Sequence, residues 1–371
     1  MSTVQFEIQL IAVVVAVACS LSGVYLVLRQ MAMMSDAISH AVLIGIVLAF
    51  FVVKDLASPL LILAAAMTGV VTVSLVEMLK RTELVKEDAA IGLVFPLLFS
   101  VGVILIAQHA GNVHLDTDAV LLGELAFAPF DRFILLGNDL GPKALCVMLV
   151  ILLADLAFIL AFYKELKLAT FDAGMAAALG FAPGLLHYGL MTLVSLTAVG
   201  AFDAVGSVLV VAFMIAPPAT AYLLTDRLSS MLIWSAFLGS ASAVGGYWLA
   251  HALDASIAGS MASTAGALFS LAFLFAPNRG RIALARKRVR QRWEFAQTML
   301  SIHLYQHEGL PEAQEECRME HLDRSLWWEP GFAEQVVRRA ERRGLIVRRE
   351  DFLELTRDGR DHAGQAIVNA K

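Results

Sequence analysis

Two side chains that can ligate a metal ion lie four residues apart in the segment MMSDAISHAVLIG. Asp36 and His40 fall near the start of a long apolar stretch, and residues at this spacing share one face of an α-helix. Placing a carboxylate inside a membrane span costs about 2.5–3.5 kcal/mol, so an aspartate there indicates function. Because an aspartate oxygen and an imidazole nitrogen suit manganese, zinc or ferrous iron, the pair predicts a metal site.

Two protein ligands hold a metal loosely, which a permeation site requires because the ion must leave as readily as it enters. Water, or a second copy of the pair across a twofold axis, would complete the coordination. Met33 shares the face one turn earlier and is a candidate soft ligand, although methionines in spans more often pack in the core. The alternative is that Asp36 caps the helix or bonds to a neighbouring span, while His40 only packs.

Membrane helices are the elements that would position this pair. Of the 371 residues, 58% are hydrophobic and 16% are charged, whereas soluble proteins carry about 25% charged residues. A spanning helix needs about 20 mostly apolar residues. Stretches of that kind run approximately over Ile8–Leu28, Ala32–Val53, Pro59–Leu79, Ala89–Ala107, Ala144–Tyr163, Leu186–Phe202, Val205–Leu224, Met231–His251 and Ile257–Ala276. The sequence predicts an all-α polytopic membrane protein with about nine transmembrane helices, or eight with one interfacial segment.

The positions of the cationic residues predict the orientation, because short loops rich in lysine and arginine stay in the cytoplasm. With the N-terminus outside, most of them fall on the cytoplasmic side, while Lys54, Arg132 and Lys143 fall outside. We therefore expect a multi-pass protein of the bacterial cytoplasmic (inner) membrane with its C-terminal domain in the cytoplasm.

The charge balance divides the chain into a transmembrane domain at residues 1–280 and a cytoplasmic domain at residues 281–371. Up to Asn278 there are 10 cationic and 18 acidic residues, and from Arg279 onward there are 18 and 15. The basic run RGRIALARKRVRQR predicts a juxtamembrane helix at the anionic leaflet. Further on, a helix ending at Gly344, an alternating apolar segment and a turn at Asp358-Gly359 predict a helix, a strand, a turn or short wing, and a helix.

A polar break, KLATFDAGMAAALGFAP, separates two predicted spans at residues 167–183. Its alanine-rich sequence predicts a short helix on the cytoplasmic side that ends at Gly180. The residues alone indicate no more than a surface helix. The sequence contains no GxxxxGK[ST] loop, so we expect that the chain does not itself hydrolyse ATP and is not an enzyme.

At its second span the sequence resembles the ABC-3 class of metal-importing ABC permeases, whose pattern there is Ser/Gly-Asp-x-x-Ser-His. The matching residues are Ser35, Asp36, Ser39 and His40. The resemblance continues through KEDAAIGLVF, NVHLDTDAVLLGEL and VGSVLVVAFMIAPPATAYLLTDRL and covers nearly all of residues 8–278. It implies a fold like that of type II ABC importers, in which Asp36 and His40 line the metal path.

The resemblance also implies how the chain works with other proteins. Residues 167–183 would be the coupling helix that docks in a groove of the ATPase. Its contacting positions would be Phe171, Asp172, Ala177, Leu179 and Gly180. The implied partners are an ABC ATPase subunit, an extracytoplasmic metal-binding protein, membrane lipids and a second permease subunit, identical or paralogous. The cargo would be a manganese, zinc or iron divalent ion, and no cofactor would be bound permanently.

The C-terminal segment resembles the winged-helix domain of iron- and manganese-responsive repressors, through ERRGLI at residues 341–346 and LTRDGRDHA at residues 355–363. Because the domain is tethered to a membrane and only mildly basic, we expect an interaction or metal-sensing role and no nucleic-acid partner. Four side chains of the segment have donor types that bind zinc or manganese. They are His303, His307, Cys317 and His321. Solvated or packed side chains are the alternative.

The leading hypothesis is therefore a membrane permease subunit of an ATP-driven importer of divalent transition metals. A membrane-anchored metal sensor or regulator, which uses the winged-helix segment, is the alternative. A third hypothesis is an ATP-independent secondary carrier driven by an ion gradient.

Overall fold

The computed structural model describes residues 3–54, 59–109, 125–135 and 138–369. The chain forms two compact units, Met1–Gly280 and Arg281–Lys371. We call them the membrane unit and the C-terminal unit.

Helices long and apolar enough to cross a membrane make up most of the membrane unit. In the described ranges there are nine of them, which confirms the predicted all-helical polytopic fold. Two further helices, α6 and α7, are too short to span and lie between the fifth and sixth spans. The helices are α1 (Thr3–Leu28), α2 (Met33–Val53), α3 (Pro59–Lys80), α4 (Glu87–His109), α5 (Lys143–Ala161), α6 (Tyr163–Phe171), α7 (Ala173–Ala178), α8 (Pro183–Val205), α9 (Ser207–Leu224), α10 (Leu228–Leu253) and α11 (Ile257–Phe275).

Helix α1 lies at the centre of the bundle and packs against α5, α8, α9 and α10. Lipid tails are as apolar as the side chains, so helix association in a membrane depends on close packing and hydrogen bonds. Glycines make that packing possible. A Cβ atom on Gly23 of α1 would collide with the backbone of Met214 in α9, and one on Gly246 of α10 would collide with the backbone of Met261 in α11.

A short antiparallel pair of strands precedes α5. Strand β1 (Arg132–Leu135) pairs with β2 (Asn138–Pro142), and a 3₁₀ turn over Ala128–Phe130 leads into them. Arg132 Nη1 lies 3.2 Å from Glu7 Oε1, so this region is joined to the start of α1. The motif NVHLDTDAVLLGEL lies outside the described residues, except for its last residue, Leu125.

The polar break at residues 167–183 forms two helices where the sequence predicts one. Asp172 separates α6 from α7 with an extended backbone, φ −151° and ψ 91°, and its side chain accepts a hydrogen bond from Met175 N at 2.8 Å. Aspartate is a favoured N-cap because its oxygen satisfies an amide that the helix leaves free. Helix α7 ends before Gly180, whose φ of +87° favours glycine, and Phe181 N donates to Ala176 O at 3.1 Å.

The C-terminal unit consists of helices around one two-stranded antiparallel ribbon. Its core contains Leu300, Leu304, Val336, Val337 and Leu353. The elements are α12 (Arg281–His307), α13 (Ala313–Glu316), α14 (Met319–Ser325), α15 (Pro330–Arg342), β3 (Ile346–Arg349), β4 (Phe352–Leu355) and α16 (Arg357–Asn369). The basic run is continuous with the next predicted helix, so both belong to α12. The winged-helix resemblance of this unit stays a prediction.

The predicted turn at Asp358-Gly359 is wrong, because both residues lie in the first turn of α16. Thr356 Oγ1 accepts a hydrogen bond from Gly359 N at 3.0 Å and so caps this helix. A Cβ atom at residue 359 would collide with the carbonyl of Leu345. The glycine is therefore required for close packing, and the chain turns instead at Glu350, whose φ is 56°.

We expect Gly23→Val to destabilise the membrane unit by about 1–3 kcal/mol, because the added side chain forces α1 away from α9. The thermal unfolding temperature of the full chain in detergent measures this effect. Gly266→Val in α11 is the matched control, since a Cβ there meets nothing within 4 Å. Equal unfolding temperatures for the two variants would contradict the close approach of α1 and α9.

Candidate functional site

Asp36 and His40 lie on one face of α2, within its first two turns. Asp36 Oδ1 and His40 Nε2 are 3.4 Å apart, and the two side chains are 34% and 33% exposed. Both side chains are thus only partly buried and remain accessible. Their oxygen and nitrogen are close enough to bind the same ion.

Neighbouring side chains pack against the helix and hold the imidazole ring, while the metal-binding atoms of the pair stay outside this packing. Ser39 is buried, and its hydroxyl donates to the carbonyl of Ser35 at 2.8 Å, so this serine needs no further partner. The His40 ring stacks on Phe95 of α4, with centroids 5.8 Å apart, and meets Phe99 edge-on at 5.9 Å. These rings limit the rotation of the imidazole and leave its Nε2 beside Asp36.

Within the part of the chain that the structure describes, the pair is not part of a complete metal centre. Over the described ranges, no group of three or more histidine, cysteine, aspartate or glutamate side chains is arranged to hold a metal. Met33, one turn earlier, is exposed. A metal bound by Asp36 and His40 would therefore take its other ligands from water, a methionine sulfur or a second subunit.

A polar network that the sequence analysis did not identify joins three membrane helices. Arg29 Nη1 lies 2.8 Å from His187 Nδ1, and His187 Nε2 lies 2.6 Å from Glu77 Oε1. Tyr188 donates its hydroxyl hydrogen to Glu77 Oε2 at 2.6 Å. A guanidinium can only donate, so Nδ1 accepts and a neutral ring carries its proton on Nε2, facing Glu77.

The same arginine reaches the short helix α6. Arg29 Nε and Nη2 each lie 3.3 Å from Thr170 Oγ1. The network therefore connects the end of α1 with α3, α8 and the segment predicted to couple to an ATPase. The only sequence signal for it is that Arg29, Glu77 and His187 lie near the ends of spans on the same predicted side of the membrane.

The predicted coupling residues form an exposed surface on α6, α7 and the following turn. Phe171 is 63% exposed and Leu179 is 59% exposed, while Asp172, Ala177 and Gly180 are also exposed. Beneath them a small cluster of Ala169, Ala176 and Leu186 anchors the segment on α8. The predicted contact positions are therefore accessible to a partner, and their role in coupling stays a prediction.

Two of the four candidate ligands in the C-terminal unit, His303 and His307, lie side by side near the end of α12. The rings of His303 and His307 are 4.6 Å apart, but His303 Nε2 contacts the carbonyl of Glu316 at 3.1 Å, and His307 Nδ1 contacts the carbonyl of His303 at 2.9 Å. Burial lowers the pKa of His303 and so favours its neutral form.

Cys317 and His321 differ from that histidine pair in their surroundings. Cys317 is buried in the core of the unit, and this burial raises the pKa of its thiol. His321 Nε2 lies 3.9 Å from Glu315 Oε1. A metal-binding role for the four side chains stays a prediction.

Comparison with known proteins gives consistent matches. The sequence pattern of the ABC 3 transport family matches residues 2–276. The zinc transport system membrane protein TroD of Treponema pallidum is 47% identical over 353 residues, which cover 95% of this chain and 96% of TroD. The manganese transport system membrane protein MntD of Bacillus subtilis is 50% identical over 279 residues, which cover 75% of this chain and 94% of MntD.

A solved structure agrees with these matches. A chain of PsaBC from Streptococcus pneumoniae, in complex with a Fab, superposes with a TM-score of 0.64 at 28% identity and covers 77% of this chain and 96% of its own length. The similarity to TroD includes most of the C-terminal unit, because 353 aligned residues exceed the length of the membrane unit.

We expect Glu77→Gln to lower the free energy of unfolding by about 1–3 kcal/mol, because Arg29 then lacks its nearest counter-charge. Breaking a fully buried ion pair costs about 3–5 kcal/mol. The Glu77 side chain is 21% exposed, so the expected loss is smaller. Chemical denaturation of the full chain in detergent measures the difference. Arg81→Gln is the control, since its contact with Glu77 is 4.0 Å long and exposed and contributes about 0–1 kcal/mol. Equal losses in both variants would contradict the network.

Proposed function

This chain belongs to the ABC 3 transport family, and from that premise we propose that it is the permease subunit of an ATP-driven importer of divalent transition metals. The observation that carries the proposal is the Asp36–His40 pair on a partly exposed face of a membrane helix. Relatives named as zinc and manganese transport system membrane proteins support a metal as cargo. The protein spans the membrane several times, and we place it in the bacterial cytoplasmic membrane with its C-terminal unit in the cytoplasm.

The pair suits a passing ion better than a resident one. One carboxylate oxygen and one imidazole nitrogen bind manganese, zinc and ferrous iron, but they satisfy only part of the coordination that each ion prefers. A dication at this position neutralises Asp36 and so lowers the cost of a carboxylate in the span. The flanking rings of Phe95 and Phe99 keep the imidazole in place without adding a ligand.

Several partners complete the proposed importer. ATP hydrolysis belongs to a separate ABC ATPase subunit, and an extracytoplasmic metal-binding protein delivers the cargo. The match to PsaBC supports a second permease subunit, identical or paralogous. Such a partner would bring another set of ligands to the pathway.

The polar network offers a route from the ATPase to the metal pair. The exposed residues Phe171 and Leu179 would dock in a groove of the ATPase, and α6 carries Thr170 on the same segment. Thr170 bonds to Arg29, and the chain from Arg29 continues directly into α2 at Met33. Closure of the ATPase would thus move the start of the helix that holds Asp36.

The transport hypothesis is preferred over the membrane-anchored sensor. The sensor hypothesis requires the C-terminal unit for its activity, yet the similarity to MntD spans 279 residues and covers 94% of that transport protein. A length of that kind matches the membrane unit alone. We therefore assign transport to the membrane unit.

We expect Asp36→Ala and His40→Ala each to reduce ATP-dependent metal uptake at least about tenfold, because even partners of metal ligands commonly contribute that much. The measurement is uptake of manganese, zinc and iron into proteoliposomes that contain the complete transporter. Leu48→Ala is the matched control, because it truncates an exposed side chain of the same helix that has no ligand atom. Undiminished uptake in both alanine variants, with ATPase activity intact, would remove the pair from the mechanism.

We expect Phe171→Ala with Leu179→Ala to weaken ATPase docking and to lower uptake, while the fold of the membrane unit is retained, because both side chains are exposed. Co-purification of the ATPase and uptake for each ATP hydrolysed are the measurements. Lys167→Ala, an exposed change on α6, is the control. An ATPase that stays bound and coupled in the double variant would show that the segment is not the docking element.

A further inference from the structure

A cavity of about 630 Å³ opens between α12 and α15 in the C-terminal unit. Arginines supply most of its polar lining, and Val289 and Ala285 add apolar surface. The arginines are Arg286, Arg290, Arg339, Arg342 and Arg343. We call this cavity the arginine pocket.

The positive charge of the arginine pocket is only partly compensated. Glu294 Oε1 lies 2.7 Å from Arg290 Nε and 3.8 Å from Arg343 Nη2. Arg286 and Arg342 make no ion pair with any acidic residue in the described part of the chain. Two exposed guanidinium groups therefore remain available to an anion.

A buried amide also lines the arginine pocket. Gln297 is 3% exposed, and its Oε1 has no hydrogen-bond partner, so rotation of the amide allows it to offer an N–H to a ligand. The Trp293 ring contacts the Arg339 guanidinium, 3.7 Å from its centroid, and the Phe332 ring, 4.9 Å from its centroid. The indole thus already has two stacking partners, and the remaining polar groups of the pocket are hydrogen-bond donors that suit an anionic group.

We propose that the arginine pocket binds the phosphate headgroup of an anionic phospholipid. A guanidinium matches a phosphate because its planar fork donates two parallel hydrogen bonds to two oxygens. The open side of the pocket carries Val289, which is exposed and apolar and suits the glycerol and acyl portion of a lipid.

The tether to the membrane favours a lipid over a soluble phosphate. Helix α11 ends at Phe275, and only residues 276–285 separate it from Arg286. Basic residues this close to a bilayer are attracted to anionic headgroups, each by a factor of about five in binding. The arginine pocket would turn this general attraction into a defined site, independently of the metal cargo.

Hydrogen–deuterium exchange of the full chain in nanodiscs tests the proposal. We expect slower exchange in the peptides that cover residues 285–297 and 336–344 when phosphatidylglycerol is added to phosphatidylcholine. Arg286→Gln with Arg342→Gln should abolish this protection, because it removes the two unpaired guanidinium groups that would contact the phosphate. Both arginines are exposed, so the fold should persist.

Lys287→Gln with Arg288→Gln is the matched control, because it removes the same charge from exposed positions of α12 outside the arginine pocket. Protection retained in this control supports a defined site. An equal loss in both double variants would show diffuse attraction and overturn the proposal. Protection by pyrophosphate in phosphatidylcholine nanodiscs, with none from phosphatidylglycerol, would also overturn it and assign the pocket to a soluble phosphate. None of these experiments measures metal uptake, so their outcome does not depend on the proposed transport function.

Discussion

The hydrocarbon interior of a membrane supplies no hydrogen-bond partner, so each polar group of a span has to be satisfied within the protein. Many hydroxyl groups in the spans follow this constraint by bonding to carbonyls of their own helix, as Thr72 does with Thr68 and Ser242 with Leu238. The buried hydroxyls of Tyr25 and Ser195 are exceptions, because they have no hydrogen-bond partner among the described residues. Asp155, 1% exposed, accepts a hydrogen bond from Thr197 of a neighbouring span at 2.8 Å. Asp36 and His40 stand out because their side chains are a third exposed and bond mainly to each other.

Under the same constraint the helices make two kinds of contact, which are close backbone packing and a charged network. Glycines such as Gly23 and Gly246 bring backbones together where burial of apolar surface gives no advantage over lipid. At the end of α1, in contrast, Arg29 and its partners form charged contacts across three helices. Helices packed through backbone contact move together, whereas a charged network can exchange partners. This difference is compatible with the proposed transmission of movement from α6 to α2.

The C-terminal unit follows the rules of a protein in water. Its core is apolar, and its charged residues lie on the surface, with Arg286, Arg290 and Arg342 concentrated on one side. The similarity to TroD shows that a tail of this kind also occurs in another transport system membrane protein. A lipid site in this unit would make the transporter sensitive to the composition of its membrane.

Much of this protein is determined by its sequence, because the membrane imposes a simple rule on composition. Runs of about 20 apolar residues specify the nine spans found in the described ranges, and the helical period places Asp36 and His40 on one face. Local propensity was less reliable. Asp172 divides the segment predicted as one helix, and Thr356 caps a helix where Asp358-Gly359 predicted a turn.

Only the tertiary structure decided which distant residues meet. Glu77 and His187 are 110 positions apart, and the pocket arginines Arg286 and Arg342 lie on different helices. Neither pairing follows from the period of one helix, because it depends on which faces of separate helices pack together. Composition and helical period are local properties, so they can be read from the sequence. A network or a pocket, in contrast, forms only when the faces of separate helices come into contact.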